Sequence, residues 1–172
     1  MRQPADEARI RSFMAALAAG ERTEATVYLA GGATAVLMGW RGTTIDVDIR
    51  IEPDADLLLR RLPEIKERLQ INVELASPMD FLPALPGWQD RSPFIARHAG
   101  LTFRHVDLYA QALSKVERGH AQDRSDVEAM LERNLIERQR ALEFYAAIEP
   151  ELYRFPAIDP DSLRRSVEVA FA

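Results

Sequence analysis

A short apolar run, Val27-Tyr28-Leu29-Ala30, ends in the glycine pair Gly31-Gly32, and after 13 further residues comes Asp46-Val47-Asp48-Ile49. Both runs read as strands. Successive side chains of a strand alternate faces, so Asp46 and Asp48 share one face while Ile45, Val47 and Ile49 take the other. Two carboxylates about 6–7 Å apart along one face repel each other. A divalent cation between them relieves the repulsion, and hard Mg²⁺ takes such oxygens together with substrate phosphates. The glycine pair lets backbone N–H groups approach a phosphate where a helix begins, and the helix dipole also favours an anion there. A strand, a glycine turn, a helix and an acidic strand thus describe a site for a metal-bound nucleoside triphosphate. Taken singly, the glycines would suit any tight turn and the two aspartates any solvated strand face.

The rest of the chain reads as alternating elements around this unit. Pro4, Asp6 and Glu7 open a first helix, with Ile10, Phe13, Met14 and Leu17 at helical spacing and Gly20 as its stop. Strands are expected over Val27–Ala30, Thr44–Ile51 and Ile71–Leu75, with helices over Ala33–Met38 and Asp56–Leu69, the second running through Pro63. The proline-rich stretch Ser77–Pro93 reads as irregular, and Phe94–His98 with Leu101–Val106 as a hairpin turning at Ala99-Gly100. Asp107 opens a helix ending at Gly119; Ser125 and Glu128 form a capping box for the next, with a break near Asn134. A last helix begins at Ser162. The order βαβαβ, hairpin, helices makes this an α/β (α+β) protein. Residues 1–120 are expected to form the α/β core and 121–172 a helical extension packed on the same domain.

Composition excludes several classes. The chain of 172 residues has no cysteine, hence no disulfide framework, thiolate zinc site or cysteine nucleophile. No apolar run approaches 18 residues and no secretory signal opens the chain, so no membrane partner is expected and a cytoplasmic location is the default. A net charge of −5 argues against broad nucleic-acid binding. From Arg91 to Arg124, however, six basic residues face three acidic ones, leaving that window at +3 and the remainder at −8. A basic surface of this kind suits a phosphate-bearing substrate; a solvated mixture of charges is the plainer account.

The string Ala30-Gly31-Gly32-Ala33-Thr34-Ala35, followed by Gly39, Arg41, Thr44, Asp46 and Asp48, resembles the signature of the DNA polymerase β-like nucleotidyltransferases. It is most similar to their minimal bacterial members, the antitoxins of the HEPN–MNT kind and the AbiE-type toxins. Leu113-Ser114-Lys115 with Asp123-Arg124-Ser125-Asp126 resembles their lysine-bearing helix and following acidic segment. The resemblance implies a nucleotidyltransferase-like mixed β-sheet flanked by helices and two Mg²⁺ ions on three carboxylates. Asp46 and Asp48 supply two; Glu74, in Val73-Glu74-Leu75, is the candidate third, and Asp107 the alternative. Asp107 stands where a helix should start, so capping explains it without chemistry. Gly31, Gly32, Thr34, Arg41, Thr44 and Lys115 are the candidate phosphate contacts. Where the family places a serine after the glycines this chain has Ala33, with Thr34 one position on. Lys115 could equally pair with Asp123 or Asp126, and Thr44 and Arg41 could be a turn cap and a surface ion pair.

The activity implied is transfer of a nucleoside monophosphate from an NTP to a hydroxyl of RNA, protein or a small molecule, in a toxin–antitoxin or phage-defence setting. RNA or a cognate toxin or antitoxin protein is the expected partner, with a homodimer left open. The competing expectation is a non-catalytic antitoxin or regulatory subunit that keeps the fold for binding.

Overall fold

The computed structural model describes residues 2–172. Contacts divide the chain into two compact units. One comprises the chain up to Ser77 with Ser92–Val106, the other Pro78–Arg91 with Asp107–Ala172. The first unit contains α1 (Glu7–Ala18), β1 (Ala25–Ala30), α2 (Gly32–Met38), β2 (Asp46–Glu52), α3 (Asp56–Leu69), β3 (Asn72–Leu75), β4 (Phe94–His98) and β5 (Leu101–His105). The second contains α4 (Trp88–Arg91), α5 (Leu108–Arg118), α6 (Ala121–Glu132), α7 (Arg138–Ile148) and α8 (Pro160–Ala170), with 3₁₀ turns at Pro78–Asp80 and Glu149–Arg154.

In the first unit the strands form one mixed sheet in the order β3-β2-β1-β5-β4. The central β1 runs antiparallel to β2 and parallel to β5; β2 and β3 are parallel, β4 and β5 antiparallel. Alternation decides what each face carries. Val27 and Leu29, Val47, Ile49 and Ile51, Val73, Leu101 and Phe103 all enter the core with Ile10, Phe13, Met14 and Leu17 of α1 and Leu58, Leu62 and Ile65 of α3. Burying each such side chain contributes about 1.5–3 kcal/mol. Asp6 caps α1 by accepting from the Arg9 N–H at 2.9 Å, as its place before an apolar helical stripe requires.

β2 starts later than its alternation suggests. Thr44 is held instead by Ala5, through backbone hydrogen bonds of 2.7 and 2.9 Å in the two directions. Ile45 is consequently outside the strand and 70% exposed rather than turned to the core with Val47 and Ile49.

In the second unit Asp107 caps α5, accepting from the Tyr109 N–H at 3.2 Å, and Gly119 ends that helix in the left-handed region at φ 70°. α6 begins at Ala121, not at Ser125. The Asp123 carboxylate accepts from the His120 backbone N–H at 3.3 Å, so the start is set one turn upstream of the expected capping box. Asn134, at φ 56°, separates α6 from α7. Asp159 and Pro160 open α8. Among the described residues no helix is long and apolar enough to cross a membrane.

Candidate functional site

Strand register collects the acidic residues on the sheet face away from the core. Along β2, half-buried Asp46 and Asp48 alternate with Val47 and Ile49, which are fully enclosed. Asp48 lies opposite Ala30 of β1 on one side and Glu74 of β3 on the other, and Asp46 lies opposite Asn72. Asn72 uses one amide nitrogen for two neighbours: its Nδ2 donates to Oδ1 of Asp46 at 2.5 Å and to Oε1 of Glu74 at 3.1 Å.

The glycine turn closes over the same face. Gly31 has φ 62° and ψ −131°, a conformation open to glycine alone. A Cβ at Gly31 would stand 2.7 Å from Oδ2 of Asp48, and one at Gly32 would overlap the Thr44 hydroxyl and lie 3.3 Å from Nη1 of Arg41. Both glycines are therefore needed for close approach as well as for turning. Thr44 is pinned by donating its hydroxyl to the Asp46 carbonyl at 3.0 Å. Gly31, Gly32, Arg41, Thr44 and Asp48 thus meet around one turn. Because α2 is only seven residues long, backbone approach rather than a helix dipole is what this turn offers an anion.

Thr34 is engaged within the first unit, and Lys115 and Asp107 belong to the second. Thr34 is fully buried, its hydroxyl 3.3 Å from the Leu29 carbonyl oxygen and 2.9 Å from Nδ1 of His105. Its hydroxyl is engaged in the core of the first unit. Burial, with the charge of Arg11, also pushes His105 down to about 4 from 6.5, so the imidazole is neutral at pH 7. Lys115 lies in the second unit, 4% exposed, with its ammonium 2.7 Å from Asp126 and 3.8 Å from Asp123. It takes the ion-pairing alternative foreseen for it. Arg118 forks onto Asp123 as well, and these cations hold that carboxyl below its ordinary range against the opposing effect of burial. Asp107, also in the second unit, caps α5 and receives both Nε and Nη2 of Arg91, at 3.2 and 2.7 Å. Its placement is accounted for by capping and ion pairing.

A divalent cation would find hard oxygen donors here. Among the described residues no group of three or more His, Cys, Asp or Glu side chains stands as a ready-made metal centre; Asp46 and Glu74 are both hydrogen-bonded to the Asn72 amide. The donor set nonetheless suits Mg²⁺: carboxylates on adjacent strands of one face, beside a turn too tight for any Cβ. Asp46, Asp48 and Glu74 are the residues that would hold it. Asn72 escaped the sequence reading, although the alternation Ile71-Asn72-Val73-Glu74-Leu75 puts it on the same face as Glu74.

No curated protein and no solved structure matches the chain. Residues 8–148 match a protein family described as nucleotidyltransferase of unknown function (DUF6036), a span that takes in the whole of the acidic face and the glycine turn. The chain is a member of that nucleotidyltransferase family.

Proposed function

We propose that the protein transfers a nucleoside monophosphate from an NTP to a hydroxyl acceptor, using Asp46, Asp48 and Glu74 as metal-holding carboxylates. The observation that carries this reading is the packing of the Asp48 carboxylate against Gly31, next to Gly32, Thr44 and Arg41. This close approach supports a reading in which a metal-holding carboxylate and phosphate-binding groups act at one turn. Bound Mg²⁺ would neutralise charge on the phosphates and on the departing pyrophosphate. The Gly31-Gly32 backbone and the Arg41 guanidinium hold phosphate oxygens, and the Thr44 hydroxyl joins them only by exchanging the Asp46 carbonyl for a phosphate oxygen. The acceptor oxygen bonds to the α-phosphorus, the α–β bridging P–O bond breaks, and pyrophosphate leaves. The hydroxyl proton passes to solvent, because all three carboxylates, Glu74 the exposed one among them, would be committed to the metal. The acceptor we favour is RNA or a protein partner in a toxin–antitoxin or phage-defence setting. The resemblance of the Ala30–Asp48 string to minimal bacterial nucleotidyltransferases supports it.

The test is label transfer from each of four α-³²P NTPs with Mg²⁺, offering total RNA and lysate protein as acceptors, beside the Asp46→Ala/Asp48→Ala variant. Label that reaches an acceptor and vanishes in the variant supports the proposal and names the acceptor class. No transfer, together with no NTP-dependent rise in melting temperature, would leave a fold kept for binding.

A further inference from the structure

The acidic face presents a physical problem: Asp46, Asp48 and Glu74 crowd like charges onto two adjacent strands. Nearby like charges destabilise one another unless something stands between them. In this structure the group standing between them is an amide. Carboxylates only accept hydrogen bonds, so the side chain of Asn72 must turn its NH₂ group toward them, and its two N–H bonds match two acceptors. Asp46 Oδ1 and Glu74 Oε1 are those acceptors, at 2.5 and 3.1 Å. Each carboxylate keeps its second oxygen for a cation.

We infer that Asn72 is a positioning residue of the metal-binding face, a neutral cross-link that holds Asp46 and Glu74 on their strands before a cation arrives. This rests on the reading of the face as a metal site. A carboxylate bound to metal through one oxygen and hydrogen-bonded through the other is fixed in orientation, and loss of such outer partners typically costs about 10–100-fold in metal affinity. Leucine at this position keeps the bulk and removes both donors; serine keeps one donor.

The experiment is titration of the full chain with Mn²⁺ alone, followed by loss of the free-ion electron paramagnetic resonance signal, with metal-free melting temperatures measured alongside. The wild type, Asn72→Leu, Asn72→Ser and Asp46→Ala are compared. The expected result is a weakening of about 10–100-fold in Asn72→Leu, an intermediate value in Asn72→Ser, and no measurable binding in Asp46→Ala. A packing role would instead lower the metal-free melting temperature and leave Mn²⁺ affinity as in the wild type. Wild-type affinity in Asn72→Leu, with binding lost in Asp46→Ala, overturns the inference and leaves the metal site standing. A wild type that binds Mn²⁺ no better than Asp46→Ala removes the metal site, and the inference with it.

Discussion

Replacing Gly31 by alanine tests the turn on which both halves of the site depend. Two costs add. A non-glycine residue held at φ 62° and ψ −131° is strained by about 1–3 kcal/mol. The new methyl would also stand 2.7 Å from Oδ2 of Asp48, inside van der Waals contact, so the carboxylate must move at a further cost of about 1 kcal/mol. Gly31→Ala should therefore destabilise by roughly 2–4 kcal/mol, which for a chain of this size is a drop of about 4–16 °C in melting temperature. Urea denaturation of Gly31→Ala, Asp48→Ala and the double variant separates the parts. The backbone cost survives in the Asp48→Ala background, whereas the collision disappears there. The double-mutant cycle should thus show a coupling of about 1 kcal/mol. Equal costs of Gly31→Ala in the two backgrounds would refute the close approach, and a cost below about 0.5 kcal/mol would refute the strained turn as well.

Three other outcomes follow from groups outside the turn. Lys115→Met should cost about 3–5 kcal/mol, because it strands the fully buried Asp126. Asp126→Asn in the same chain should recover much of that, and urea midpoints that show no recovery would rule out the ion pair as the cause. Arg91→Ala should cost a similar roughly 3–5 kcal/mol through Asp107, which is 1% exposed. Arg91→Lys should fall between, since lysine cannot keep both the fork and the stack 4.0 Å over the Phe144 ring. His105 is held at about 4 against 6.5 in the unfolded chain, so the native state binds fewer protons between those values and loses stability as pH falls through them. That loss is absent above pH 6.5 and reaches about 3 kcal/mol near pH 4. The wild type should therefore lose more stability than His105→Gln between pH 7.5 and 4.5, and parallel losses would refute the assignment.

The acidic strand and glycine turn were legible because their signals are local. Alternation alone assigns Asp46 and Asp48 to one face, and only glycine suits the turn between β1 and α2. Thr34 was not legible in the same way. Its neighbour His105 lies far along the sequence, and the contact exists because β5 pairs with β1 and sets His105 beside Leu29. Thr44 and Ile45 misled for a similar reason. The strand pattern runs through them, but the backbone of Ala5 takes Thr44 before the ladder begins. Asn72 was readable from alternation and was passed over because an amide is not a ligand type that draws attention. Its importance depends on what the neighbouring strand holds opposite it.

The path of the chain between its two units has a consequence for how the protein can be cut and recombined. The backbone passes from one unit to the other after Ser77, returns after Arg91, and leaves again after Val106. No single break yields either unit whole. A fragment ending at Val106 keeps all five strands but also carries Leu82, Leu85 and Trp88, which are buried in the intact chain and belong to the second unit. Such a fragment would expose an apolar segment and tend to aggregate. Gene fusion, limited proteolysis and domain shuffling must therefore treat the protein as one inheritable piece, even though its contacts fall into two.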